Sequence, residues 1–313
     1  MFNLSFFANS LRALLLLTAL STTALAATTS IQNHIWLRTP GGISEPICRK
    51  FWIEYDNTFH TNSIIMSTKY GLDGIIPLTE LLASKEKNKY YCGGSSTITT
   101  NPIVYSDVDT KADQFNVLAG VAGTPLIWLT PNANKATNFK ELIAYWKSLN
   151  RPINVGTYFT TAKMIPKHLE ALGIPVNLIS YKNGAQAYPS LADGTLDLSV
   201  DGTAALSVAA GGKFRVVGYN WIDNIPKLSQ FPNFSQDDKL IQHLRSGFVI
   251  AVPKGSMTKQ EEEIMARRFQ FIAQSSNFST FILENQQVPM NYIGDQLKKS
   301  LDLEYAVGKK YLK

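Results

Sequence analysis

Short apolar runs alternate along the chain with stretches whose hydrophobic positions recur every three to four residues. This alternation predicts βα units that build parallel sheets. Ile35-Trp36-Leu37 reads as a first strand, followed by the turn Thr39-Pro40-Gly41-Gly42. A helix begins near Ser44-Glu45-Pro46, where proline suits the first helical position, and Ile47, Phe51 and Tyr55 form its apolar stripe. Residues 63–67 make the next strand, then comes the turn Gly71-Leu72-Asp73-Gly74 and a helix carrying Leu78, Leu81 and Leu82. Tyr90-Tyr91-Cys92 leads into Gly93-Gly94-Ser95-Ser96-Thr97, and two apolar runs, 117–121 and 126–129, flank Gly123-Thr124-Pro125.

A second region repeats the pattern. Asn138 with Glu141 three residues on resembles a capping box, and Phe139, Leu142, Ile143, Trp146 and Leu149 give that helix its apolar face. The strand 153–155 opens into residues 156–161, and the helix of Met164, Ile165, Leu169 and Leu172 ends at Gly173. The strand 176–179 leads to Tyr181-Lys182-Asn183-Gly184 and a short helix that stops at Asp193-Gly194. After the strand 196–200 come Asp201-Gly202-Thr203, an Ala-rich helix, Gly211-Gly212 and the strand 214–217. Residues 221–246 are irregular and polar; 248–252 is strand-like, a long helix spans about 258–274, and a last helix follows Tyr292.

The first 26 residues stand apart from this pattern. Arg12 is their one charge, it precedes an apolar run at 13–20, and Ala24-Leu25-Ala26 fits a small-x-small cleavage site. The run is well short of the ~20 residues that span a bilayer, so an export signal is expected, leaving 287 residues in the periplasm. The 313 residues are 45% hydrophobic and 17% charged, which excludes disorder and leaves room for two domains. The formal charge of +6 is scattered, and a solvated basic surface rather than a nucleic-acid site is the reading it supports. Cys48 and Cys92 are the only cysteines, so a disulfide and two buried thiols both remain open. His34, His60, His168 and His243 are dispersed without metal-ligand spacing, so no metal and no cofactor are expected.

The chemistry lies in the segments that follow successive strands: 39–45, 71–74, 93–97, 156–161, 181–185 and 201–203. Most combine glycine with hydroxyl or other hydrogen-bonding side chains and open a helix. In open α/β sheets ligands sit beyond the carboxyl ends of the strands, where helix N-termini offer unpaired N–H groups to an anion. No G-x-S-x-G elbow or G-x-G-x-x-G turn is present, and Gly211-Gly212-Lys213 lacks P-loop spacing. Glu45, Asp73 and Asp201 follow strands, and helix capping rather than acid–base chemistry is the role expected of each. Binding is favoured over catalysis, and no enzyme activity is expected.

Several segments carry a family resemblance. Tyr181-Lys182-Asn183-Gly184, Leu191-Ala192-Asp193-Gly194-Thr195-Leu196-Asp197, Val200-Asp201 and Gly211-Gly212-Lys213-Phe214-Arg215 resemble, in order, the V-P-Y-K-G-G, L-L-G-G-x-V-D, F-D and A-G-K-L-R motifs of tripartite tricarboxylate transporter receptors. These periplasmic substrate-binding proteins are also called Bug receptors. Gly93-Gly94-Ser95-Ser96-Thr97 with Asn101-Pro102 and Tyr105 is similar to their G-S-S-G-x-x-x-x-N-P-x-L-Y element, and residues 39–45 to their F-x-P-G-G-x-x-D turn.

The resemblance implies a type II periplasmic-binding-protein fold, with two α/β lobes joined by crossover strands around a ligand cleft. The first lobe is expected from 27–125 plus 247–313 and the second from 126–246. By the same resemblance Pro40, Gly41, Gly42 and Glu45 lie in the first ligand loop, and Ser95, Ser96 and Asn101 in the second. Thr157, Thr160 and Thr161 face them, with Tyr181, Lys182, Gly184 and Asp201 nearby. The implied function is a monomeric receptor that delivers a small carboxylate solute to the membrane subunits of a tripartite transporter. The alternative is a periplasmic sensor of the same fold acting on a signalling partner. Three departures bear on the pocket: Glu45 replaces the family's Asp, 71–74 replaces G-A-G-G and introduces Asp73, and 156–161 carries Tyr158 and Phe159 in place of glycines. Those two rings either cover a ligand or pack against the lobe.

Overall fold

β1 (Asn33–Leu37) is followed by α1 (Ser44–Phe59), whose Ile47, Phe51 and Tyr55 stripe is fully buried. Next come β2 (Ile64–Thr68), α2 (Ile75–Ala83), β3 (Lys89–Gly94), two single-turn helices α3 (Ser96–Thr99) and α4 (Asn101–Val104), and the long strand β4 (Phe115–Thr124). In this computed structural model the described residues are 33–37, 43–61, 64–69, 71–84, 88–238, 241, 244 and 246–312. The proposed leader and Pro40, Gly41 and Gly42 lie outside them. Beyond Pro125 the chain enters a second body: β5 (Leu126–Thr130), α5 (Phe139–Ser148), β6 (Ile153–Thr157), α6 (Met164–Ala171), β7 (Val176–Ser180), α7 (Gly184–Ala192), β8 (Leu198–Asp201), α8 (Ala205–Ala209) and β9 (Arg215–Asn220). It returns through β10 (Ser246–Pro253), α9 (Lys259–Ala273), α10 (Ser276–Glu284), β11 (Val288–Tyr292) and α11 (Gly294–Tyr311).

The strands form a six-stranded sheet of order β11-β4-β10-β3-β1-β2 and a five-stranded sheet of order β7-β6-β8-β5-β9. Parallel pairing holds only where a helix returns the chain, as for β1 with β2 and β3, and for β6 with β7 and β8. The expectation of parallel sheets is corrected for the rest. β10 runs antiparallel to β3 and β4, β11 antiparallel to β4, and β5 antiparallel to both its neighbours. Of the strands at the crossing, β5 and the returning β10 enter their sheets against the direction set by the βα units, whereas β4 runs with β1 to β3.

Each lobe has its own core. In the first, Phe51, Trp52, Tyr55, Tyr90, Phe269 and Phe278 pack mostly edge-to-face with centroids 5.1–5.9 Å apart, the arrangement their ring quadrupoles favour. Cys48 of α1 and Cys92 of β3, both fully buried here, are joined by a disulfide that closes a 44-residue separation. In the second lobe Trp128, Phe139 and Phe234 meet, and the Trp128 indole N–H donates to Asn220 Oδ1 at 2.8 Å.

Three segments join the lobes. Where β4 leaves and β10 returns, Gly123 pairs with Gly247. A Cβ on Gly123 would lie 2.0 Å from Trp221 Cη2, so the indole rests directly on this backbone. The third segment is α11: Leu297 sits in a core cluster of the six-stranded lobe and Val307 in the core of the five-stranded one. The Thr99 hydroxyl donates to Glu304 Oε1 at 2.8 Å, both residues buried, and fixes this helix to α3.

Candidate functional site

A cavity of about 770 Å³ lies between the two lobes. The six-stranded lobe lines it with Ile43, Ser44, Asp73, Ser96 and Phe248, and the five-stranded lobe with Tyr158, Phe159, Lys182, Asn183 and residues 201–204. Thr124 and Leu126 line it where the chain crosses, and the turn 284–287 closes one side. The segments after strands thus meet at one place, as the carboxyl-end rule requires.

The turn after β2 is unusual. Gly71, Leu72, Asp73 and Gly74 have φ of 117°, 45°, 55° and 98°. At Gly71 a Cβ would also meet Ile76 Cδ1 at 2.2 Å, so only glycine fits. For Leu72 and Asp73 the left-handed region costs on the order of 1–2 kcal/mol each. The Asn101 side-chain amide donates to the Asp73 carbonyl oxygen at 2.7 Å, and the Thr97 hydroxyl donates to the same oxygen at 3.3 Å. The turn so held puts the Asp73 carboxylate in the cleft, where Thr160 Oγ1 of the other lobe donates to its Oδ2 at 2.9 Å. This hydrogen bond ties the lobes across the cavity. Gln287 makes a second tie: Thr124 Oγ1 donates to its Oε1 and its Nε2 donates to Thr203 Oγ1, both at 2.5 Å.

Asp201 sits at the end of β8, buried, with the Gly202 N–H donating to Oδ1 at 2.6 Å and the Tyr188 hydroxyl to Oδ2 at 2.5 Å. Burial raises its carboxyl from 3.8 to about 6, against the opposing pull of the Gly202 N–H. Gly184 packs beneath it: a Cβ there would lie 2.3 Å from Asp201 Oδ2 and 2.9 Å from Tyr188 Oη. Burial likewise raises the Tyr188 phenol. Among the described residues the N-cap positions beside these three are held by Ile43, Gly71, Gly74 and Ala204 rather than by Glu45, Asp73 or Asp201, which corrects that expectation. Glu45 lies inside the first turn of α1 and accepts from Arg49 Nε at 2.8 Å, while Asp73 and Asp201 face the cleft. At the N-cap of α1 stands Ile43, whose side chain makes no cap hydrogen bond, and this helix start lies beside the cavity. α7 is capped instead, because Asn183 Oδ1 accepts from Gln186 N at 3.1 Å.

Of the residues the resemblance implies, Ser96, Lys182 and Asp201 line the cavity, and Thr160 reaches it through Asp73. Ser95 is turned to the crossing strand, where its N–H donates to the Gly247 carbonyl at 2.7 Å and its Oγ accepts from Gly247 N at 3.2 Å. Asn101 supports the Asp73 turn. Thr157 and Thr161 are buried, their hydroxyls have no partner among the described residues, and neither lines the cavity. Tyr181 packs against the five-stranded core, and its N–H donates to the Thr157 carbonyl at 2.8 Å. Tyr158 and Phe159 both line the cavity, and Phe159 also packs against the lobe core. The turn 284–287 was not foreseen, because neither α10 nor β11 was read from the sequence. Among the described residues no group of three or more His, Cys, Asp or Glu is placed to hold a metal.

The family model described as "Tripartite tricarboxylate transporter family receptor" matches residues 58–304. Among solved structures, a TctC solute-binding protein from Polaromonas is 15% identical with a TM-score of 0.73, the alignment covering 91% of this chain and 99% of that one. An R. palustris protein solved with adipate is 17% identical, TM-score 0.71, covering 91% and 97%. MatC from Rhodopseudomonas palustris with bound malate is 14% identical, TM-score 0.68, covering 90% and 99%. No curated protein matches the chain by sequence alone.

Proposed function

The chain belongs to the tripartite tricarboxylate transporter receptor family, and from that premise we propose that its interlobe cleft binds a small carboxylate-bearing solute for delivery to a membrane transporter. The observation that carries this reading is the cavity of about 770 Å³, bounded on both sides by segments that follow strands of different lobes. It is large enough for a small metabolite. The N-terminus of α1, the Ser96 hydroxyl and Lys182 supply donors suited to a carboxylate. The structural relatives solved with adipate and malate support the same class of solute. Residues 27–125 with 247–313 form one lobe and 126–246 the other, and 1–26 is an export leader that places the protein in the periplasm. Solute bound between the lobes favours the state in which both touch it, and the transporter reads that state.

The test is a thermal-shift screen of the ligand-free protein against monocarboxylates, dicarboxylates, tricarboxylates and amino acids, with native mass spectrometry of the protein as purified. Stabilisation by at least one carboxylate is expected. No stabilisation at millimolar solute, with nothing co-purifying, would overturn the reading.

A further inference from the structure

The apolar part of the cleft lining bears on what the carboxylate is carried on. Tyr158 and Phe159 of the five-stranded lobe, Phe248 and Ile43 of the six-stranded lobe, and Leu126 at the crossing all line this cavity. Most of that surface is held from behind. Phe248 lies on β10 between β3 and β4 and belongs to the first-lobe core, Leu126 opens β5 in the second-lobe core, and Phe159 packs on that core. Tyr158, half-buried, meets Phe159 edge-on with ring centroids 5.0 Å apart and planes at 66°. Ile43 is 38% exposed, apolar surface that gains by being covered. Part of the polar lining is turned to the protein itself: Gln287 bridges Thr124 and Thr203, and Asn183 caps α7. A solute with hydroxyls set against these rings would give up hydrogen bonds to water without replacing them, whereas hydrocarbon placed there leaves water favourably. At about 770 Å³ the cavity lies within the ~300–1,000 Å³ of pockets that take drug-sized molecules, so a ring-sized body fits.

Resting on the receptor reading above, we propose that the solute carries its carboxylate on an apolar ring, and that Tyr158, Phe159, Phe248 and Ile43 select it over chain-like and hydroxylated acids of the same charge. The ring lies between Tyr158 and Phe159 of one lobe and Phe248 and Ile43 of the other. Its apolar contact is then complete only when both lobes meet the solute, so the ring itself favours the closed state.

Titration calorimetry of the protein stripped of solute by unfolding and refolding would compare pairs of equal charge that differ only in the body. Suitable pairs are 3-phenylpropanoate with propanoate, phenylsuccinate with succinate, 2-phenylglutarate with glutarate, and cyclohexanecarboxylate with its hydroxylated counterpart quinate. Equal charge within each pair makes the comparison independent of the ionised groups around the cleft. The apolar-ring member of the best-binding pair is expected to bind at least about tenfold tighter. Tyr158→Ala removes a half-buried ring and is expected to shrink the gap to about threefold or less, with the affinity for the other member changed by less than about twofold. Ile43→Ser, in the other lobe, is expected to narrow the gap in the same sense and serves where the first variant fails to fold. A smaller gap in the wild type, a gap that survives both substitutions, or an equal loss for both members of the pair would overturn the proposal. A chain-like or hydroxylated acid as the sole hit of a thermal-shift screen that includes these pairs would overturn it while leaving the receptor reading intact. A blank screen with nothing co-purifying would remove both.

Discussion

Replacing Cys48 and Cys92 together by alanine opens the ring that the disulfide closes around residues 48–92. With a separation of 44 residues, the loss of chain entropy in the unfolded state that the bond enforces amounts to about 4 kcal/mol. Both cysteines are fully buried in the first-lobe core, so deleting two sulfur-sized groups removes roughly another 1.6 kcal/mol at about 0.8 per methylene-sized group. The expected loss is therefore about 5–6 kcal/mol, a large share of the roughly 5–15 kcal/mol that holds a protein folded. Urea unfolding of the mature protein followed by far-ultraviolet circular dichroism measures it. The unfolded variant is more expanded, so the dependence of stability on urea should steepen as well. A loss below about 2 kcal/mol with an unchanged urea slope would show that the ring does not restrain the unfolded chain as the entropy model requires. Thiol titration of the denatured, unreduced wild type is expected to find no free thiol.

Thr160→Val removes the hydroxyl that donates to Asp73 across the cleft while keeping its shape. A bond to a carboxylate is worth about 1.5–3 kcal/mol, so the dissociation constant of the solute found by screening should rise about tenfold or more by calorimetry, and an unchanged value would sink the clasp. Gly184→Ala places a methyl 2.3 Å from Asp201 Oδ2; a stability loss of about 1–3 kcal/mol and weaker binding are expected, and a neutral result in both would mean that Asp201 and Tyr188 move aside freely. Asp201 has a native pKa near 6 against 3.8 unfolded, so the folded state holds its proton more tightly and the residue's contribution to stability falls as pH rises from about 4 to about 6. Relative to wild type, Asp201→Asn should gain about 3 kcal/mol across that interval and nothing further above it, and a flat difference in melting temperature between pH 4 and 7 would contradict the shift.

What the sequence displayed depended on period and on punctuation. The stripe of Ile47, Phe51 and Tyr55, the faces of α5 and α6, and the cap at Asn138 are all in place, because each follows from spacing within one element. Gly173 and Gly194 end helices with positive φ for the same local reason. Glu141 shows the limit: Asn138 caps Glu141 N, but the backbone N–H that the Glu141 carboxylate takes up is that of Thr137, whose hydroxyl donates to it as well. The antiparallel strands could not be read from periodicity, since β5 and β10 are buried runs whose direction is set by which lobe the chain has just left. β11 was hidden by Pro289, and α10 by the polar Ser275-Ser276-Asn277 start whose Ser275 caps it. The cleft was legible as a set of turns but not as a lining. Whether Ser95 faces solute or Gly247, and whether Asp73 caps a helix or reaches Thr160, is decided by residues more than 80 positions away.

The interleaved order of strands sets a schedule for a chain that emerges amino end first. The five-stranded sheet draws all its strands from residues 126–220 and is complete once they are free. The six-stranded sheet has β1 to β4 much earlier but lacks β10, which lies between β3 and β4, until residue 253 has followed. Two blocks of an unfinished sheet must wait with facing edges open while an entire second lobe forms between them. The lobe that is made first is therefore closed last, and the disulfide ring at residues 48–92, available from the start, keeps its first three strands together in the interval.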